Sequence, residues 1–405
     1  MKTNRSTTAG VHQRHRKSCG RTGNCRCAWA FYVELPPGAD GRRRQVTKGG
    51  FTGSRAAKTA RDQVLADVRA GLSVDNRMLT VGEYLTSWLD AKVAAEAVRP
   101  KTEAAYRDHV TRFFLPTIGS VRLADLTPRH IERAFAAIRA EHPNLSASSL
   151  SRIRATLRSA LNTAVKRGEI ARNAAQYIDT PPIHRTPVRP WEPEEVAAFL
   201  DAPTVRAHRL HPLFHVAIFT GLRRGELAGL RWQDIDLDGA ALTVRQQIVN
   251  VGAKTWVTPP KTASGENRRV DLDGATVAVL RSLKATQSAE RLAWGPGWAD
   301  TGLVFAKEDG TGWHPDSIRQ AFDRLIHTVK VDGQPLRRVR FHDLRHAQAS
   351  LMLAAGVPLA VVSKRLGHSQ LAVTSDTYSH LIAGAGKAAA EAAAALVQPR
   401  STAIS

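Results

Sequence analysis

Four short segments in the C-terminal half of the chain carry side chains suited to phosphoryl chemistry. The first is Thr220-Gly221-Leu222-Arg223-Arg224-Gly225-Glu226-Leu227. Gly221 interrupts an apolar helical run over 214–219, and a new helix is expected near Arg223. An arginine near a helix N-terminus adds planar donors to free backbone N–H groups, a combination that suits phosphate. The plainer alternative is an Arg223–Glu226 ion pair at i, i+3, which contributes only about 0.3 kcal/mol. The second segment, 256–270, reads as strand, turn, strand and places Lys261 on the turn, where its flexible stem could reach into a groove or simply be solvated. The third is Arg340-Phe341-His342-Asp343-Leu344-Arg345-His346, leading into a helix that ends at Gly356. His342 and Arg345, at i and i+3, share one helix face, and an imidazole beside a guanidinium suits acid–base work on a phosphate. His346 stands at i+4 from His342, the spacing of a metal pair. The set lacks a further ligand at metal spacing apart from Asp343, which points elsewhere on the helix. The fourth is Leu366-Gly367-His368-Ser369-Gln370, followed ten residues after His368 by Tyr378 in Thr377-Tyr378-Ser379-His380. A tyrosine in such a polar, turn-prone stretch is ordinarily a half-buried structural residue. As a nucleophile its phenol, with a pKa near 10, needs cationic surroundings and a base. The other three segments would supply both.

Composition bounds what holds these segments. With 405 residues the chain is too long for one ordinary domain and suggests two or three. At 43% apolar residues it can build real cores. The 58 basic and 36 acidic side chains leave a net charge of +22. Such an excess points to a polyanionic partner, because lysine and arginine replace the counterions condensed on nucleic acid. A basic surface kept for solubility is the alternative. No apolar run reaches the roughly 18 residues that a membrane span needs. The basic N-terminus has no apolar core behind it and does not read as a secretory signal. Three cysteines crowded between Cys19 and Cys27 cannot form a disulfide framework, and a reducing cytoplasm fits best.

Patterning divides the chain into 1–72, 76–180, a proline-rich extended linker at 181–190, and 191–397. In the first part, 29–35 has strand composition, 36–41 is a turn, and 42–48 is its returning partner. Gly49-Gly50 breaks the pattern before another short strand or turn. Ser54 is expected to cap a helix over 55–70. Arg42, Arg43, Arg44 and Lys48 on that hairpin make the part a candidate DNA-binding module. The second part is helical throughout: one helix with Val81, Tyr84, Leu85, Trp88 and Leu89 on a stripe, a second over 102–114 stopped before Pro116, and a third opened by Thr127-Pro128. A fourth starts at Ser146 or Ser148 and carries Arg152, Arg154, Arg158 and Lys166. These bases read either as a solvated face or as a clamp on DNA phosphates.

Taken in order, Arg223, Lys261, His342-x-x-Arg345, His368 and Tyr378 resemble the active-site signature of the tyrosine recombinases, in particular the phage integrases. Thr-Gly-Leu-Arg-x-x-Glu-Leu, Pro-Lys-Thr, His-Asp-Leu-Arg-His, Leu-Gly-His and Asp-Thr-Tyr-Ser-His all fall in the family's order. The ten-residue step from His368 to Tyr378 is one longer than in several members and looks like that of phage and conjugative-element integrases. The resemblance implies a multidomain, mainly α fold with small β-sheets. Its parts would be an arm-type N-terminal module of small sheet plus helix, a helical, SAM-like core-binding domain, and a mixed α+β catalytic domain, which the alanine-rich stretch 385–397 is expected to end as a short helix. It implies that Arg223, Arg345 and His368 hold the scissile phosphate and that Tyr378 attacks it. Lys261 would protonate the leaving 5′-oxygen while His342 assists removal of the tyrosine proton. Glu226 would orient Arg223, and Asp343 would cap its helix. Neither ATP nor a metal is needed, since the phosphotyrosyl bond conserves the energy. The implied partners are double-stranded DNA attachment sites and a homotetramer assembled on them. A directionality factor and a host DNA-bending protein are admitted as accessories, and no membrane is involved.

The sequence departs from an arm module at His12-x-x-His15-x-x-x-Cys19-x5-Cys25-x-Cys27, where cysteine and histidine at close spacing could hold zinc. Two rival functions share parts of the pattern. A type IB topoisomerase would use the same catalytic residues without pairing sites, and the separate arm-like module argues against it. A catalytically silent DNA-binding protein would explain the charge but not the six filled catalytic positions.

Overall fold

The computed structural model describes residues 10–15, 19, 25–37, 43–69, 78–183, 189–261, 265–367, 391 and 394. They divide into two compact units, 1–184 and 185–405. No helix among the described residues is long and apolar enough to cross a membrane.

The first unit begins with an antiparallel sheet of β1 (Val11–Gln13), β2 (Trp29–Leu35) and β3 (Arg44–Phe51), in that order, with α1 (Ser54–Arg69) packed against it. β1 was not anticipated, because three residues are too few for a period-2 signal. Nor does Gly49-Gly50 end the returning strand: β3 runs through both, and a register shift opposite Trp29/Ala30 absorbs the irregularity. Val11, Phe31, Val33, Ala57 and Val64 form the core of this part.

The helical part follows as α2 (Val81–Ala94), α3 (Pro100–Asp108), a π-helical stretch His109–Phe114, α4 (Leu115–Ile118), α5 (Pro128–Glu141) and α6 (Ala147–Lys166). Its starts are set by caps. Thr80 and Glu83 form a reciprocal capping box, Thr127 accepts from the His130 N–H, and Ser146 accepts from the Ser149 N–H. The expected stop before Pro116 does not occur. The wider π turn, closed by the Leu115 N–H on the Val110 carbonyl, leaves room for the proline ring in the first turn of α4. The extra residue per turn also keeps Val110, Phe113, Phe114 and Ile118 all turned into the core. Tyr84 and Trp88 bury their rings there and satisfy their polar tips on the Ala160 carbonyl (2.7 Å) and Thr163 Oγ1 (3.2 Å) of α6.

The second unit contains α7 (Pro193–Asp201), α8 (Pro203–Arg206), α9 (His211–Thr220), α10 (Arg224–Ala228), β4 (Ile235–Asp236), β5 (Ala241–Val244), β6 (Gln247–Val251), β7 (Lys254–Thr258), β8 (Arg268–Asp271) and α11 (Gly274–Trp294). It continues with α12 (Pro315–Ile326), β9 (Lys330–Val331), β10 (Gln334–Pro335), a 3-10 turn Phe341–Asp343, α13 (Leu344–Ala354) and α14 (Leu359–Leu366). Trp191, Phe199, Phe214, Phe322 and Phe341 interlock with ring centroids 5.1–6.4 Å apart, fixing α9 against α12 and the start of α13. The strands at 254–258 and 268–271 are not hairpin partners. β7 pairs with β6, while β8 crosses to pair with β5 beside β4. The segment carrying Lys261 therefore bridges two sheets.

Candidate active site

Two chain reversals bring the site together. Helix α9 ends at Gly221, whose φ of +65° favours a residue without a Cβ. A Cβ there would also lie 2.5 Å from Leu366 Cδ2. The reversal turns the Gly221 carbonyl to Arg345 Nη1 at 2.7 Å and starts α10 immediately after Arg223. Helix α14 ends the same way at Gly367, φ +66°. The last carbonyls of α14 collect guanidinium groups: Leu366 O accepts from Arg268 Nη1 at 2.9 Å and from Arg345 Nη2, and Gly367 O accepts from Arg223 Nη2 at 3.3 Å. A helix C-terminus carries partial negative charge, so it is a natural dock for cations.

Glu226 orders two of these arginines. It is 1% exposed, accepts Arg223 Nη1 at 2.7 Å and the Arg223 N–H at 2.9 Å, and pairs with Arg268 Nη2 at 3.0 Å. Burial alone would raise its pKa. The charges of Arg268 and Arg223 and the hydrogen bonds from Arg223 outweigh that and hold the carboxyl below its usual range. Arg268 was not anticipated as a site residue. Burial draws its pKa down against the pull of Glu226. The signal was present in the alternation of β8, where Arg268 and Val270 point inward while Arg269 and Asp271 point out.

Arg345 is 4% exposed at the start of α13, one turn beyond His342. His342 has an exposed edge, but the protein packed around its ring, followed by His346 and Arg345, pushes its pKa down to about 4 against the opposing Asp343 carboxylate. The imidazole is therefore neutral at neutral pH. His346 packs edge-on against it with ring centroids 5.7 Å apart, and its own pKa is lowered, mainly by burial. Asp343 caps differently from expectation. Its carboxylate accepts from the Arg340 N–H at 2.9 Å and from the Arg340 guanidinium, opening the 3-10 turn, and makes no side-chain cap on α13.

Lys261 is exposed just beyond Pro259, whose carbonyl accepts from Gln247 Nε2 at 2.9 Å. The hairpin of β6 and β7 is pressed onto α10 because Gly225 and Gly229 leave no Cβ in the way. A Cβ on Gly225 would stand 2.8 Å from the Ile248 carbonyl. His368, Tyr378, Arg42 and all of the expected C-terminal helix at 385–397 except Glu391 and Ala394, which are helical, lie outside the described residues.

Residues 191–383 match the model of the Phage integrase family. That segment is a domain of the phage integrase family, the tyrosine recombinases, whose members break and rejoin DNA strands. The chain's resemblance to relatives extends beyond the matched region. It is 27% identical to a XerC-like tyrosine recombinase of Caldanaerobacter subterraneus over 81% of this chain and 86% of that one. It is likewise 27% identical to an integrase of Streptomyces ambofaciens, over 83% and 85%. In fold, the Tn1549 transposon integrase bound to transposon right-end DNA superposes with a TM-score of 0.63 at 18% identity, covering 78% of this chain and all of that one. A lambda integrase tetramer on a Holliday junction gives 0.53 at 17% identity, covering 92% and 96%. The multidomain, mainly α architecture with small sheets is that of these integrases.

The other sequence candidates are placed in the first unit. Arg43, exposed, pairs with Glu34 across the hairpin; Arg44 opens β3 opposite Leu35, and Lys48 lies opposite Phe31. On α6, Arg152, Arg158 and Lys166 are exposed. Arg154 turns instead to the Ala175 and Gln176 carbonyls at 3.3 Å each, tying α6 to the short 3-10 turn Ala174–Tyr177.

Proposed function

We propose that this integrase cleaves and rejoins duplex attachment sites through Tyr378. The Tyr378 oxygen attacks the scissile phosphorus, the bond to the 5′-oxygen breaks, and a 3′-phosphotyrosyl link and a free 5′-hydroxyl result. Arg223 and Arg345, joined by His368, hold the nonbridging oxygens and stabilise the charge of the pentacoordinate state. Lys261 gives a proton to the departing oxygen, and His342 takes the one lost by the tyrosine. A bound phosphate adds negative charge beside His342, which raises its affinity for a proton from the low value of the DNA-free site. Attack by the partner strand's 5′-hydroxyl reverses the step, so two rounds recombine two duplexes. The observation that carries this reading is the convergence of Arg223, Arg268 and Arg345 on the α14 terminus that leads directly into His368.

In this reading 1–72 binds arm-type DNA, 76–180 clamps the crossover site, 181–190 links, and 191–397 is catalytic. Four chains assemble on two sites, an arrangement supported by the lambda integrase tetramer bound to a Holliday junction. The reaction proceeds in the host cytoplasm at the nucleoid, assisted by a directionality factor and a host DNA-bending protein. The test is covalent trapping on nicked suicide DNA drawn from the flanks of the parent element. A denaturant-resistant adduct, formed in chelator and lost in Tyr378→Phe, supports the assignment. An adduct that persists in Tyr378→Phe assigns the nucleophile elsewhere.

A further inference from the structure

We propose that His15, Cys19, Cys25 and Cys27 bind one zinc ion at the base of the loop between β1 and β2. One ligand atom from each of the four residues lies within 4.8 Å of all the others. His15 Nδ1 stands 3.5 Å from Cys19 Sγ and 3.3 Å from Cys25 Sγ. Tetrahedral zinc, with bonds of about 2.3 Å to sulfur and about 2.0 Å to nitrogen, puts neighbouring sulfur and nitrogen about 3.5 Å apart and two sulfurs about 3.8 Å apart. The side chains thus converge to near the edges of a coordination tetrahedron.

The sheet pre-positions them. His15 is two residues past the end of β1 and Cys27 two residues before β2, and these strands pair Gln13 with Trp29. Beyond that pair the Arg14 N–H donates to the Ala28 carbonyl at 2.8 Å. The Gln13 amide donates to the Cys25 and Cys27 carbonyls at 3.0 and 2.9 Å, curling the cysteine strand back towards His15. Three thiolates and an imidazole select a soft or borderline metal, and zinc accepts that set in closed structural sites. The five clustered buried residues of this sheet-and-helix part make a small core. Modules with so little apolar burial commonly rely on a metal or disulfide staple. Metal binding would fix β1, a strand of only three residues, to the rest of the sheet. The site takes no part in strand cleavage, so its test is independent of the catalytic reading.

The experiment is a cobalt(II) titration of the reduced full-length chain, followed by zinc displacement. We expect tetrahedral d–d bands and a thiolate charge-transfer band that saturate at one equivalent and bleach when zinc is added. Cys25→Ser weakens cobalt binding by at least about 100-fold. Because that change can also unfold the module, His15→Cys provides the second reading: stoichiometry is kept while the charge-transfer band intensifies. Zinc should also protect all three thiols from a thiol reagent. Absence of saturable bands, bands indifferent to Cys25→Ser, or thiols that react equally fast with and without zinc would overturn the proposal.

Discussion

Arg268 and Arg345 donate to the same acceptor, the carbonyl of Leu366, one from the edge of a β-sheet and the other from the start of a helix. Two guanidiniums on one oxygen repel each other and are held by what surrounds them: Glu226 behind Arg268 and the Gly221 carbonyl beside Arg345. With Arg223 the cluster carries three positive charges against one carboxylate, an excess of two.

Removing the carboxylate should expose that balance. Glu226→Gln leaves Arg223 and Arg268 without their counter-charge and should cost about 3–5 kcal/mol in denaturant melts. Glu226→Gln combined with Arg268→Met should recover part of the stability but not the cleavage rate, since Arg223 remains unoriented. Additive losses in the double variant would show that the two side chains are not coupled.

Gly221→Ala forces a Cβ onto a left-handed backbone and into Leu366 Cδ2. We expect a loss of about 1–3 kcal/mol from backbone strain, with steric displacement of α14 added to it. Adduct formation should fall more than DNA binding does, because α14 leads into His368. Equal losses in the two assays would indicate general unfolding.

Acid should destabilise the DNA-free protein through its histidines. The His342 pKa is depressed to about 4, and those of His346 and His215 are also lowered, chiefly by burial. The unfolded chain, with histidine pKa values near 6.5, binds more protons than the folded one. Stability from these groups is therefore full above about pH 6.5 and lost as the pH falls towards 4. The melting temperature should drop across that window, and His342→Asn should make the drop shallower. An unchanged slope in His342→Asn would assign the acid sensitivity to other groups.

Lys261 can be tested by changing the leaving group. Lys261→Ala should slow cleavage of ordinary DNA by roughly 100- to 10,000-fold, the range of general acid catalysis. Replacing the bridging 5′-oxygen with sulfur makes a leaving group that needs no proton, and the variant should then cleave nearly as fast as the parent chain. Failure of sulfur to rescue would assign Lys261 to DNA binding.

On α6 two arginines should separate cleanly. Arg158→Ala should reduce the salt dependence of DNA binding by about 0.9 in log–log slope, the loss of one phosphate contact. Arg154→Ala should leave that slope unchanged and lower the melting temperature, because Arg154 is spent on the Ala175 and Gln176 carbonyls. The opposite result would reverse the assignment of the two side chains.

The sequence by itself determined whatever depends on near neighbours. Thr80, Thr127-Pro128 and Ser146 mark their helix starts because a cap acts within three residues. Gly221 marks the break after α9 for a similarly local reason, and the ordered motifs carried the family. Pro116 misled because its effect depends on the π turn before it, which no periodicity announces. Tertiary structure alone decided that β8 leaves β7 to pair with β5, and so that Arg268 enters the site from a segment read as an ordinary hairpin. It also decided where the guanidiniums meet. Arg223 reaches Gly367 across 144 residues, Arg345 reaches Gly221 across 124, and Arg268 reaches Leu366 across 98. Contacts that distant follow from how α9, α13 and α14 pack, and packing depends on the whole set of buried surfaces rather than on any local pattern.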